Sequence, residues 1–193
     1  IAQCLVGSEM CIRDRNRILF VGALSSYHND FLYKQANSPR SYDIVLYGSG
    51  LETEKLEGKV DYKGFVSSDE LIATAEGEYG LAWYGSSLEG GSGALGEYLQ
   101  YNAPHKMSLY IRCGLPIIVW EKAGLAPFVK KNNVGICISS LTELEDILPK
   151  ISAGQYMEMK KNVLQIADKL SHRYYCFKAI KQACADLGGE IKG

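Results

Sequence analysis

The segment Ile117–Trp120 consists of four successive apolar residues and directly follows a Gly-Leu-Pro turn at 114–116. A short apolar run bounded by turn residues is typical of a strand that is buried on both faces, as in parallel sheets. Similar runs occur within 17–22, 43–47 and 79–84, and segments with a helical pattern separate them. Strands that alternate with helices predict an α/β fold with a doubly wound, Rossmann-like parallel sheet.

The full pattern predicts six strands, at 17–22, 43–47, 60–62, 79–84, 117–120 and 134–138. It predicts helices at about 29–35, after the Ser67 capping pattern, after Pro104, and at 125–131, 142–151, 156–170 and 174–187. In helix 156–170 we expect Met157, Leu164 and Ile166 among the buried positions. Ligands of doubly wound sheets bind beyond the carboxyl ends of the strands. The candidate binding loops are therefore 22–28, 48–52, 63–68, 84–105 and 121–124.

Composition excludes several classes of function. The formal net charge is −1, so no nucleic acid or other polyanionic partner is indicated. The three histidines are scattered, which argues against a metal site built by the protein. Cys113 and Cys137 fall where a turn and a strand are expected, and we interpret them as reduced core thiols. No apolar run is long enough for a membrane span or an export signal, so we expect a cytoplasmic protein.

Residues 1–15 do not look like part of a folded domain. The chain begins with Ile1 rather than methionine, and the segment Cys4–Arg15 looks like a translated sequencing adapter. We expect an artefact or an unstructured leader at 1–15, followed by one domain at 16–193 whose gene is truncated on its N-terminal side.

Lys106 is the strongest candidate for a binding residue. Pro104 lacks an N–H group and suits a helix start, which places Lys106 in the first turn of the predicted helix. A lysine in that position can bind an anion such as phosphate together with the free backbone N–H groups of the turn. The alternative is a solvated lysine at a helix start.

The stretch 98–120 resembles the donor-binding half of GT-B glycosyltransferases. Its segment 101–110 reads Tyr-Asn-Ala-Pro-His-Lys-Met-Ser-Leu-Tyr. The group that contains glucosyltransferase 3 and the β-1,6-galactofuranosyltransferases looks like Tyr-Asn-x-Pro-His-Lys-x-Ser-x-Tyr at this point. The resemblance covers most of residues 16–188.

This resemblance implies a nucleotide-sugar-binding domain and a set of site residues. A UDP-hexose donor would place its diphosphate against four residues: Lys106, Asn102, His105 and Ser108. The nucleoside would lie against Gly64, Phe65, Val66 and Glu121. The remaining cleft residues would be Tyr84, Gly22, Gly48, Tyr101 and Pro104. No metal and no cofactor are expected, since the UDP-sugar is a substrate.

Several positions depart from the wider GT-B pattern. Leu109 stands where a glutamate is frequent, and Pro127 stands near the position of the usual ribose-binding glutamate. Glu121 and Ser108 are possible substitutes. The turn at 22–26 contains no basic residue, so a phosphate contact from this loop is absent unless Lys34 replaces it.

The function implied by the resemblance is transfer of glucose or galactofuranose to a glycan, glycopeptide or lipid-linked acceptor. The general base would belong to an N-terminal acceptor domain, so the catalytic residues are unknown and we expect this fragment alone to be inactive and to bind UDP weakly. One alternative is a non-catalytic sugar-nucleotide-binding or docking module. Another is a nucleotide-sugar epimerase, although no clustered acidic and histidine residues follow the strands. The donor hexose and the oligomeric state are left open.

The segment 91–96 matches the glycine spacing of a dinucleotide-binding fingerprint. That fingerprint requires its glycines directly after a strand, whereas residues 85–90 intervene here. We therefore interpret the segment as a mobile loop over the donor cleft rather than as an NAD site.

Overall fold

The computed structural model describes residues 16–187, so the prediction for residues 1–15 lies outside the described part of the chain. The strands are Arg17–Ala23 (β1), Asp43–Ser49 (β2), Asp61–Tyr62 (β3), Tyr79–Ala82 (β4), Ile117–Trp120 (β5) and Gly135–Ile138 (β6). They form one parallel sheet in the order β3-β2-β1-β4-β5-β6. The α/β prediction is confirmed.

The helices are Ser26–Asn37 (α1), Ser68–Thr74 (α2), Gly93–Tyr98 (α3), His105–Arg112 (α4), Ala126–Asn132 (α5), Leu144–Ile147 (α6), Ala153–Ser171 (α7) and Tyr174–Asp186 (α8). The chain first builds the sheet outward from β1 to β3 and then continues on the other side of β1 with β4. Because crossovers between parallel strands are right-handed, this reversal places helices on both faces of the sheet.

The core lies on the central strands. Every residue of β4 and β5 is buried, and so are the five middle residues of β2. This pattern has a physical cause, since helices cover both faces of a doubly wound sheet and leave no side of a central strand for polar groups. In β6, at the edge of the sheet, three of the four residues are only half-buried.

Helix α7 corrects the predicted burial pattern. Its buried residues follow one stripe at helical spacing: Tyr156, Met159, Val163 and Ile166. Met157 and Leu164 were expected to be buried, but they are 55% and 44% exposed. The reciprocal bonds between Ser152 and Gln155 start the helix. The buried stripe then passes beside Met157 and Leu164 rather than through them.

The prediction of one continuous helix at 142–151 is also wrong. The structure has a 3-10 turn at Leu141–Glu143, the single turn α6, and a second 3-10 turn at Leu148–Lys150. Pro149 lies in that last turn, and a proline cannot donate the backbone hydrogen bond that an uninterrupted α-helix needs.

Candidate functional site

The switch point of the sheet, where doubly wound folds have their ligand crevice, lies where β1 and β4 stop pairing. These strands share only the pairs Ile18↔Tyr79 and Leu19↔Gly80. Beyond them the hydroxyl of Tyr110 bridges the two strands, accepting from the Val21 amide at 3.0 Å and donating to the Leu81 carbonyl at 2.9 Å. The strand order reverses between β1 and β4, and ligands of doubly wound folds bind at such switch points.

Lys106 lies over this switch point. Its Nζ atom is 4.0 Å from the centre of the Phe20 ring in β1 and 3.9 Å from the centre of the Tyr84 ring, two residues after β4. A β-carbon on Gly22 would lie 3.9 Å from the same atom. Helix α4 therefore directs the amine across the carboxyl ends of β1 and β4, as the predicted anion site requires.

The amine of Lys106 has no compensating negative charge within residues 16–187, since no carboxylate there lies within 4.0 Å of it. Burial lowers the pKa of Lys106 to about 7. The residue as a whole is only half-buried, but its amine end is enclosed by two rings, and it is this end that carries the charge. An anionic ligand would supply the missing counterion.

The first turn of α4 adds backbone donors. Pro104 precedes the helix, and the Met107 amide already bonds to the Pro104 carbonyl. Across the described residues, the N–H groups of His105 and Lys106 have no acceptor. Free N–H groups at a helix start favour an anion. The amine and these two amides belong to the same helical turn.

Glycines form the adjoining carboxyl ends of β1 and β2. Gly22 and Gly48 are register partners, and a β-carbon on Gly48 would lie 1.8 Å from the Gly22 carbonyl oxygen. The Gly48 amide donates to the Gly64 carbonyl at 2.9 Å. These strand ends approach so closely that only glycine fits at position 48, where φ is +144°.

The carboxylate of Glu52 binds the turn at 22–26 and occupies its free donors. Glu52 accepts from the Ser26 amide at 2.9 Å and from the Ser26 hydroxyl, and it forms an ion pair with Lys55. The bond to Lys55, followed by the Ser26 amide, lowers the pKa of Glu52 to about 2. A carboxylate therefore already occupies the start of α1, where a phosphate would otherwise be favoured.

Lys34 does not replace the basic residue that this turn lacks. Its amine pairs with Asp30 at 2.9 Å and donates to the Ser86 carbonyl at 2.7 Å. It thus connects α1 to the loop after β4. The suggestion that Lys34 supplies a phosphate contact finds no support in this arrangement.

The other predicted site residues are placed less uniformly. His105 and Ser108 are exposed on α4, Asn102 is half-buried in the preceding loop, and Pro104 is buried at the helix start. Phe65 is 78% exposed directly after β3, with Val66 half-buried beside it. Glu121 is exposed after β5, and Tyr101 is 84% exposed. Each lies on the carboxyl-end side of the sheet. Contacts among the predicted site residues join Lys106 to Tyr84 and Gly22, and Gly48 to Gly22 and Gly64.

The glycine-rich segment 91–96 is not the loop that we expected. Residues 93–98 form helix α3, and a β-carbon on Gly91 would lie 2.4 Å from the Gly96 carbonyl oxygen. Its glycines therefore serve close backbone packing in a short helix. The prediction of a loop is therefore wrong for residues 93–96, which belong to α3.

Sequence reasoning missed Phe20, Tyr110 and Glu52. Phe20 and Gly22 are two residues apart on β1 and so lie on the same face of the strand. This alternation could have identified Phe20 as a neighbour of any ligand of the Gly22 turn. Glu52 and Tyr110 act through contacts 26 and 89 residues away in the chain. The motif at 101–110 includes Tyr110 but gives no indication of its partners, and Glu52 has no local signal.

Other kinds of site find no basis in residues 16–187. In that range no group of three histidine, cysteine or acidic residues could hold a metal ion. Nor does any helix there have the length and apolarity needed to cross a membrane. A surface hollow of about 440 Å³ lies between β6 and α7, and another of about 460 Å³ lies beside Arg40. Neither is lined by a predicted site residue.

The structure is a doubly wound α/β domain with a lysine at its switch point. The sequence matches the family described as Glucosyltransferase 3-like, C-terminal domain, over residues 18–183, and the chain belongs to that family. The resemblance to this GT-B group is thereby confirmed.

Individual relatives agree with this assignment. The chain is 31% identical over 190 residues to beta-1,6-galactofuranosyltransferase WbbI of Escherichia coli (strain K12), an alignment that covers 95% of this chain and 55% of the relative. It is 27% identical over 137 residues to glucosyltransferase 3 of Streptococcus gordonii, covering 70% and 40% respectively. The chain thus spans about half the length of these relatives.

Among solved structures, HepE of Anabaena in complex with UDP superimposes with a TM-score of 0.59. The superposition covers 89% of this chain and 50% of that one, at 14% sequence identity. At this level of identity the likeness shows only that the two chains share a fold.

Proposed function

We propose that this chain is the donor-binding part of a hexosyltransferase, and that its crevice holds the diphosphate of a UDP-sugar. The observation that carries the proposal is the Lys106 amine, which lies at the switch point of the sheet without a carboxylate partner in residues 16–187. The printed names of the relatives, glucosyltransferase and galactofuranosyltransferase, support a hexose donor. HepE, which shares the fold, has been solved with UDP.

In this proposal Lys106 stabilises the leaving group. Negative charge builds on the diphosphate as the bond between sugar and phosphate breaks, and a fixed cation with adjacent N–H groups lowers the energy of that state. Phe65 packs beside the uracil, and Gly22 and Gly48 admit the ligand close to the backbone. The turn at 22–26 contributes no phosphate contact, because Glu52 already occupies the start of α1.

The acceptor is proposed to be a glycan, glycopeptide or lipid-linked sugar, with the general base outside residues 16–187 and no cofactor required. The cytoplasmic location expected from the sequence stays a prediction. The arrangement at the crevice favours a transferase over an epimerase, since the groups around Lys106 are aromatic rings and backbone rather than acids.

Calorimetric titration of UDP and of uridine tests the proposal. We expect Lys106→Ala to weaken UDP binding about ten- to a hundredfold, the value of a charge-assisted hydrogen bond, and to leave uridine binding unchanged. Phe65→Ala should weaken both ligands to a similar extent, because both carry the base. Lys130→Ala, which removes an exposed lysine of α5, is the matched control. Equal UDP affinity for wild type and Lys106→Ala would reject the role of Lys106.

A further inference from the structure

The Lys106 amine is held in apolar surroundings before any ligand arrives. Phe20 and Tyr84 lie on it at 4.0 and 3.9 Å, and the backbone at Gly22 approaches from the sheet. Aromatic faces attract a cation, but weakly compared with water or a carboxylate. The enclosed amine therefore gains little from being charged.

The titratable groups around the amine do not stabilise its charged form. Tyr84 touches it, and Tyr110 lies one turn further along α4. Burial raises the pKa of both phenols, so both are neutral near pH 7. His105 and Arg112 of α4 point to the exposed surface, and β1 presents only Phe20 and Gly22. Burial is the cause of the lowered pKa of Lys106. Helices α2 and α7 also pack on α4. Within residues 16–187 no salt bridge joins Lys106 to their charged residues, which are Asp69 and Glu70 on α2 and Glu158, Lys160, Lys161, Asp168 and Lys169 on α7.

A diphosphate would reverse the preference of this amine. Two negative charges placed within a few ångströms of it favour its protonated form, and they also supply the counterion that the crevice lacks. We propose, on the basis of the function proposed above, that binding of the donor diphosphate is coupled to uptake of one proton from water by Lys106. Above pH 7 the empty site then presents mainly an uncharged amine, and the occupied site presents an ammonium.

This coupling makes donor affinity depend on pH in a defined direction. With a free-state pKa of about 7, UDP binding takes up about half a proton at pH 7 and about nine-tenths at pH 8. Above that range the affinity falls by about tenfold per pH unit. A rise in pH also favours release of UDP, because loss of the proton from Lys106 removes the charge that holds UDP.

Calorimetry in buffers of different ionisation enthalpy measures the protons taken up. UDP is titrated at pH 8 into wild type and Lys106→Arg, whose guanidinium stays protonated throughout. The proton uptake of UDP itself is common to both proteins and cancels. We expect wild type to take up about nine-tenths of a proton more than Lys106→Arg. If UDP binds both proteins with the same proton uptake, the coupling is refuted, while the proposed binding function stands.

A second measurement does not depend on how well the arginine variant binds. NMR titration of lysine side chains labelled at Cε gives the pKa of Lys106 directly, with its signal assigned from its absence in Lys106→Met. We expect a midpoint near 7 without ligand and a rise of about three units with saturating UDP, which is the shift that an uptake of nine-tenths of a proton at pH 8 requires. A Lys106 midpoint unchanged by bound UDP overturns the inference, whereas failure of UDP to bind wild type at all refutes the proposed function itself.

Discussion

Lys106 and Tyr84 are in direct contact, with the amine 3.9 Å from the centre of the phenol ring. The two residues reach this contact from different connections, since Tyr84 follows β4 and Lys106 opens α4. The ring thereby closes one side of the amine from water. The contact determines the charge of the candidate site, because burial is the cause that lowers the pKa of Lys106 to about 7.

Tyr84→Ala should therefore raise the pKa of Lys106 above this value. Removal of the ring lets water solvate the ammonium, and the gain in hydration outweighs the lost ring contact. Tyr84→Phe retains the ring and should leave the pKa near 7. The NMR titration of labelled lysines measures both variants. A lower pKa in Tyr84→Ala would show that the ring stabilises the cation more than it excludes water.

The approach of Gly48 to Gly22 predicts a large effect on stability. In Gly48→Ala the new methyl group would lie 1.8 Å from the Gly22 carbonyl oxygen, at a φ of +144°. The ends of β1 and β2 must then separate, and we expect a loss of about 4 kcal/mol in the free energy of unfolding.

Gly64→Ala is the matched control for this substitution. Its φ of +76° is also unfavourable for alanine, but no atom lies within 4 Å of the added carbon. Backbone strain alone should cost about 1 to 2 kcal/mol. Urea denaturation compares the two variants. Equal losses would indicate that conformation, rather than the contact with Gly22, makes glycine necessary at position 48.

The sequence was sufficient for features that depend on local pattern. The apolar runs located the four central strands β2, β1, β4 and β5, because a central parallel strand must be apolar on both faces. The position of Lys106 in the first turn of a helix was predicted correctly, because Pro104 identifies a helix start within a residue or two. Gly22 and Gly48 were predicted as cleft residues from the resemblance, and the structure shows that these two strand ends approach each other closely.

Features that depend on long-range packing were not predictable in the same way. The phase of α7 was missed because its stripe begins with Tyr156, a residue with a polar end, whose hydroxyl donates to the Glu78 carbonyl at 3.2 Å. Met157 is more apolar, but it lies one position away on the helix surface and remains exposed. Hydrophobicity alone ranks these two residues in the wrong order.

Glu52 should make stability dependent on acid. Its pKa is about 2 in the folded chain, against an ordinary value of 4.5, so the unfolded chain binds the proton more readily between these values. The stabilisation by Glu52 is complete above about pH 4.5 and is lost as the pH falls towards 2. Glu52→Gln should therefore be less stable than wild type at pH 6, with a smaller difference at pH 3.

Thermal denaturation at both pH values measures this difference. Glu121→Gln removes an exposed carboxylate that accepts no side-chain hydrogen bond from residues 16–187, and it controls for the change in net charge. If the difference between Glu52→Gln and wild type is the same at pH 3 and pH 6, the bonds to Ser26 and Lys55 do not depend on ionised Glu52.

Tyr110→Phe tests how the switch point is held open. The hydroxyl satisfies the Val21 amide and the Leu81 carbonyl at the point where β1 and β4 stop pairing. Its removal leaves a donor and an acceptor without partners beside the core, and we expect a loss of about 2 to 3 kcal/mol in the free energy of unfolding. Tyr174→Phe, on the half-exposed surface of α8, should change it by less than about 0.5 kcal/mol. Urea denaturation of the two variants gives the comparison, and equal stabilities of Tyr110→Phe and Tyr174→Phe would mean that water replaces the hydroxyl between the strands.

UDP titration of Tyr110→Phe then relates this bridge to the site. The Val21 amide directly precedes Gly22, so a shifted strand end would weaken binding of UDP while the amine of Lys106 is still present.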